Sequence, residues 1–196
     1  MNPLLEKLGV SSELQAFFKS TDCVFDFGDS FEHFGPGFHK VPTTQNVWRT
    51  AGETVTNVII SHSAMECLAY LTLNRHRFQL LSALGCVALG NYPYELQLEW
   101  VRRTFYRRKF TLVFSNDLVG RVMDIKVMTG LRNKPTRLWL SGDSVIARYH
   151  ERTLSFAQAN LSLHSFEKAF SIRSGIRTRK PLHHLTFLDE LTYDHK

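Results

Sequence analysis

The sequence predicts an α/β protein whose core is a parallel four-stranded sheet flanked by helices. Two observations predict it. Three strand-length apolar runs end in polar residues: NVIISHS from Asn57, LSALGC from Leu81 and TLVFSND from Thr111. Between and after them come helical faces, with Tyr94, Leu98, Val101 and Phe105 on one and Leu118, Val122 and Ile125 on the next. Strand and helix in alternation give parallel strands covered on both sides.

Taken in order, Leu4, Leu5, Leu8, Leu14, Phe17 and Phe18 make the first twenty residues amphipathic, and Gly9 with Ser11-Ser12 divides them into two short helices. Residues 23–41 alternate aromatic and polar residues around Gly35-Pro36-Gly37, the pattern of strands joined by a tight turn. His33 and His39 flank that turn, placed to pair across a hairpin. Phe25, Phe27, Phe31, Phe34 and Phe38 read as core packing ahead of base stacking. Residues 45–53 read as a linker. The core is expected as strand 58–61, helix from Ala64, strand 79–83, helix from Pro93, strand 111–115, helix from Leu118 and strand 137–140. A helix over 155–170 would bury Phe156, Leu163, Phe166 and Phe170, and the tail from Ser171 is basic and partly extended. The expected organisation is 1–53 as N-terminal helices and a small β-rich extension, 54–145 as the α/β core, and 146–196 as a C-terminal helix and basic tail.

Composition narrows the function. A chain of 196 residues with 43% hydrophobic content can bury one ordinary core. Its net charge of +6 and pI near 9.4 favour a polyanionic partner. Cys23, Cys67 and Cys86 have no metal-type spacing, which favours a reducing compartment. Glu6, Lys7 and Glu13 break any signal-peptide core, and no apolar run reaches the roughly twenty residues of a membrane span. The expectation is a soluble cytoplasmic protein with no membrane partner.

The three strand ends carry the chemistry. They read His62-Ser63-Ala64-Met65-Glu66, Ala83-Leu84-Gly85-Cys86 and Ser115-Asn116-Asp117, the last followed by Gly120-Arg121. In this order they resemble the toprim domain of bacterial primases, topoisomerases and related nucleases, whose strand ends read E-G-x-x-D, S-L-G-T and D-x-D with x-x-G-R. The resemblance covers about half the chain. It implies a first Glu acting as general acid/base and D-x-D carboxylates holding Mg²⁺ or Mn²⁺. Here His62 stands at the Glu position and Ser115 at the first Asp position, leaving Asp117. A single carboxylate makes a poor site for a hard cation. The expectation is therefore a catalytically degenerate protein that binds nucleic acid, DNA ahead of RNA, or a nucleoprotein partner. The resemblance also implies a replication or mobile-element context.

Each candidate also has a structural reading. Ser63 and Glu66 form the S-x-x-E capping box, against Glu66 as a substitute metal ligand beside Asp117. Asp117 could cap the following helix. Arg121 could contact a phosphate or form a surface ion pair. Arg102, Arg103 and Arg107, with Arg108 and Lys109, suit the negative end of a helix dipole or a phosphate-tracking surface. Arg177 and Arg179, with Arg173 and Lys180, form a second cluster that could join the first. Two rival readings stand beside the leading one: a divalent-metal phosphoryl-transfer enzyme rebuilt from Asp117, Glu66 and His62, and a protein-interaction module.

Overall fold

The computed structural model describes residues 2–19, 21–50 and 55–194. Two short helices, α1 (Pro3–Lys7) and α2 (Ser12–Phe18), lead into strands β1 (Val24–Asp26), β2 (Phe31–Gly35), β3 (Phe38–Lys40) and β4 (Trp48–Arg49). Then follow β5 (Asn57–Ser61), α3 (Ala64–Leu73), β6 (Leu84–Ala88), α4 (Glu95–Thr104), β7 (Lys109–Val113) and α5 (Leu118–Leu131). The chain closes with β8 (Arg137–Ser141), β9 (Ser144–Tyr149), β10 (Arg152–Ala157), α6 (Leu163–Phe170), β11 (Arg177–Arg179) and α7 (Phe187–Asp194). The fold is mixed α/β.

At its centre lies a five-stranded sheet in the order β11-β7-β5-β6-β4. The first four strands run parallel and β4 pairs antiparallel with β6. β5 and β6 sit in the middle because almost every residue in them is apolar and buried, as a strand covered on both faces requires. One face packs Ile59, Cys86 and Val113 against α1, α2, α3 and α7. The other packs Val58, Ile60, Val87 and Leu112 against α4, α5 and α6. Two separate antiparallel sheets, β1-β2-β3 and β10-β9-β8, complete the fold. No described helix is long and apolar enough to cross a membrane.

Several expectations are corrected. The sheet system is not a single parallel sheet of four strands. Residues 137–140 belong to β8, the edge of an antiparallel sheet, because the chain turns back through Gly142-Asp143 with Gly142 at φ +57° and alternates buried with less buried residues along β9. The fourth parallel strand is β11, in the basic tail. The strand placed at 79–83 lies at Leu84–Ala88, after a single 3-10 turn over Leu81–Ala83. This puts Gly85 opposite Val58 in the amino half of the sheet, away from the carboxyl edge. The helix expected over 155–170 is divided: Ser155 and Phe156 lie on β10, whose period-two pattern decides for strand, and α6 starts after its Ser162 cap. Within 45–53, Trp48 and Arg49 form β4 rather than linker, and residues 51–53 lie outside the described residues, as does the boundary between 53 and 54. His33 pairs with Lys40, and His39 with Phe34, so the two histidines are not partners.

Phe166 ties α6 to the β8-β9-β10 sheet. It is fully buried, with ring centroids 4.6 Å from Phe170 and 5.6 Å from Tyr149. Phe166→Ala should lower stability by about 3–5 kcal/mol, read as a lower urea midpoint at unchanged slope.

Candidate functional site

In open sheets of this kind, ligands bind beyond the carboxyl ends of the parallel strands. His62 follows β5, Gly90-Asn91 follow β6, Ser115-Asn116-Asp117 follow β7 and Lys180 follows β11. The edge is closed by backbone bonds, Gly90 N donating to His62 O at 2.9 Å and Asn116 N to Leu185 O at 2.7 Å. A cavity of about 290 Å³ opens here, lined by His62, Asn91, Ser115, Asp117, Gly120 and Asp189 among others. A second, of about 410 Å³, shares His62 and Asp189 and extends towards His39 and Glu66. His62 and Asp117 thus meet at one cleft, as their strand-end positions predict.

The carboxylates of Glu32, Glu66 and Asp117 around this cleft are engaged in holding the fold. Glu32, fully buried on β2, takes Ala64 N at 2.7 Å, Met65 N at 3.0 Å and the Ser63 hydroxyl at 2.7 Å. His39 Nε2 lies 3.0 Å from the same carboxylate. A negative side chain from the N-terminal sheet therefore occupies the first turn of α3, where backbone N–H groups and the helix dipole favour an anion. Ser63 accepts from Glu66 N at 3.0 Å, which is half of the expected capping box. The other half is corrected. The Glu66 carboxylate accepts from Phe187 N at 2.7 Å and Leu188 N at 3.1 Å, capping α7. Burial pushes its pKa up to about 7 against those two bonds.

Asp117 caps α5: its Oδ1 accepts from Gly120 N at 2.7 Å and from the Ser115 hydroxyl at 2.6 Å. Burial acts to raise its pKa. The Ser115 and Gly120 bonds and the charge of Lys180 outweigh it, and the carboxyl sits below its ordinary value. Gly120 is required here, since a Cβ would stand 1.9 Å from the carbonyl oxygen of Ser115. Lys180 reaches back from the end of β11 to Asp124 at 2.8 Å and to the carbonyls of Phe114 and Ser115. Burial raises Asp124 to about pKa 6, with Lys180 opposing.

Among the described residues, the His62 side chain has no such anchor. Burial lowers its pKa to about 4, Glu32 and Asp117 pulling upward and His39 downward, so the ring is neutral at physiological pH. Ser63, His39 and Glu32 have the residue types of a nucleophilic triad but not its arrangement. The Ser63 hydroxyl donates to Glu32 at 2.7 Å and accepts from Glu66 N, while His39 Nε2 stands farther off at 3.4 Å. Its proton is committed to the acid, and the side chain is fully buried.

The expected basic residues scatter. Arg103 pairs with Glu99 one helical turn away, Arg107 stacks on Tyr106 at 5.2 Å, and the buried Nε of Arg102 has no partner among the described residues. These three stand at or just beyond the end of α4, towards the amino edge of the sheet. Arg121 donates to the carbonyl of Ala159 at 3.1 Å. Arg177 and Arg179 share one face of β11. Arg179 lines a cavity of about 390 Å³ with Tyr70, His76, Arg77 and Lys180, on the α3 side of the sheet. α4 packs on the opposite side.

Mg²⁺ or Mn²⁺ does not fit this donor set. Both Glu66 oxygens hold α7, Ser115 brings no charge, and no cluster of three or more His, Cys, Asp or Glu side chains that could hold a metal ion occurs among the described residues. Sequence reasoning missed Glu32, Asp189 and Asp124, and it placed Lys180 in a basic cluster without its pairing to Asp124. A signal existed for Glu32, which alternates onto the inward side of an aromatic strand, where a carboxylate needs donors. Comparisons with protein-family models, curated proteins and solved structures gave no match to this chain.

The engaged carboxylates and the half-buried His62 ring can each be probed by substitution. Glu32→Ala strands two amides and a hydroxyl in the interior and should cost about 3 kcal/mol or more, measured by urea denaturation. His62 has a folded pKa below its ordinary 6.5, so the folded chain binds fewer protons, and the stability it contributes above that value is lost as pH falls towards 4. Glu66 and Asp124, with raised values, contribute most at low pH and lose it as pH rises through about 7 and 6. His62→Asn removes only the first effect. The variant should lose less stability than the wild type between neutral pH and about pH 4.5, by about 1–3 kcal/mol, read from denaturation midpoints at both values.

Proposed function

We propose that this chain is a nucleic-acid-binding protein on a catalytically idle, toprim-like core, with DNA taken ahead of RNA on the strength of the resemblance. The observation that carries the binding is where the charges lie. The sequence holds 24 Lys and Arg against 18 Asp and Glu. Glu32, Glu66, Asp124 and Glu190 are buried, whereas Arg75, Arg103 and Lys180 are the Lys and Arg side chains that pair with carboxylates among the described residues. Burying Glu32, Glu66 and Glu190, whose carboxylates are engaged by backbone amides, removes negative charge from the surface and leaves it more basic than the net charge suggests.

Three features support the toprim-like part of the reading. The motif-bearing strands β5, β6 and β7 are parallel neighbours, the first and third motifs meet at one cleft, and Gly120 makes the close approach that a G-R helix start needs. Gly85, in the amino half of β6, departs from it. The rival phosphoryl-transfer reading would route through a cation that these residues do not fit. The interaction-module reading remains the alternative to test.

Titrating labelled single- and double-stranded DNA across a salt series tests the proposal. Binding should appear at low salt and weaken log-linearly as salt rises, with a slope set by the number of phosphates contacted. No binding at low salt would move the function to the protein-interaction reading. In parallel, calorimetry with Mn²⁺ should give weak binding by the wild type and tighter binding by a His62→Glu, Ser115→Asp double variant. Tight binding by the unmodified chain would refute the idle site.

A further inference from the structure

We propose that the solvent face of the β8-β9-β10 sheet is the single-stranded nucleic-acid platform of this protein, with Arg137 and Arg148 gripping the backbone and Trp139 stacking on a base. This deepens the reading above and rests on it. Along these strands the period of two divides the residues. Val145, Ala147 and Tyr149 are buried against the core, with Leu138, Leu154 and Phe156 packed beside them. The opposite side presents Arg137 and Trp139 from β8, Ile146 and Arg148 from β9, and Thr153 and Ser155 from β10.

Arg137 and Arg148 are direct cross-strand partners. Side chains so placed start about 5 Å apart, and like charges there are destabilising. Neither forms an ion pair with a carboxylate among the described residues. Lys134 and His150 line the same cavity, of about 470 Å³. Glu151, next in sequence to His150, pairs with none of them among the described residues. The three cations Lys134, Arg137 and Arg148 around one open cavity leave a repulsion that a phosphate would relieve.

Trp139 lies two residues along the same face from Arg137 and diagonal to Arg148, and it is 45% exposed. An aromatic ring beside guanidinium groups on an open sheet suits an unstacked base with its phosphates, and a duplex does not offer base faces. Charge also chooses the occupant. A second copy docked by a two-fold axis would set arginines against arginines. The carboxyl edge, with Asp117 and Asp189 in its cleft and Glu32 filling the start of α3, is the wrong sign for a phosphate chain.

The test uses the full chain, fluorescein-labelled oligothymidylate, a duplex of equal length and inorganic phosphate. Of the three tryptophans Trp48 is buried and Trp139 is the most exposed, so bound oligothymidylate should quench the intrinsic emission. Arg137→Ser with Arg148→Ser should weaken oligothymidylate binding at least tenfold and flatten its salt dependence by about 0.7 of a slope unit for each phosphate that is no longer neutralised. Trp139→Ala should weaken it about tenfold, and Trp139→Phe should retain part of the affinity while losing most of the quench. All four substitutions are at exposed positions, and unchanged thermal melting would show that each variant folds. If the wild type binds oligothymidylate and the arginine double variant binds it equally, the platform is wrong while the nucleic-acid reading stands. If the wild type binds no oligonucleotide, both fall. Inorganic phosphate competing as strongly as oligothymidylate, or a duplex binding more tightly than the single strand, would overturn the stacking role.

Discussion

The contact on which the arrangement depends is the buried carboxylate of Glu32 at the start of α3. It draws the β1-β2-β3 sheet against the central sheet, holds His39 beside the cleft and closes the first turn of α3 with a fixed negative charge. A helix start of this kind at a strand's carboxyl end is a natural seat for a phosphate. Here the protein fills it with its own side chain. The cleft beyond is consequently shaped by acids that belong to the scaffold, and His62, among them, stays neutral.

Negative charge is thus drawn inward and positive charge left outside. Glu66 seats α7, Asp124 meets Lys180, and Asp117 starts α5. These three carboxylates serve assembly. Apart from Lys180, several basic side chains stand on faces away from the cleft, among them Arg137 and Arg148 on the outer sheet face.

The sequence made β5, β7 and the helices from Ala64 and Leu118 legible, because continuous apolar runs and a 3.6-residue period are local signals, while β6 was placed one turn too early. It also placed His62 and Asp117 together, since both are strand ends of one parallel sheet. What it hid were contacts between distant segments. β11 is three residues, Arg177–Arg179, and looks like a charged tail until β7 supplies its partner. The second role of Glu66 was hidden for the same reason: S-x-x-E is a correct local cap signal for Ser63, but the acid found better donors at Phe187 and Leu188. The hairpins after Arg137 were missed where a short apolar stretch, LWL, fits either sheet type, and Gly142 decided it.

The bond from Phe187 to Glu66 spans 121 residues of chain. At ribosomal rates, on the order of ten seconds pass between the appearance of that acid and of the amides that receive it. During translation α3 therefore carries a carboxylate with no interior partner, and one layer of the molecule cannot dry until α7 emerges. A chain released early would keep that acid hydrated and the apolar side of α3 uncovered, a state that chaperones and proteases recognise.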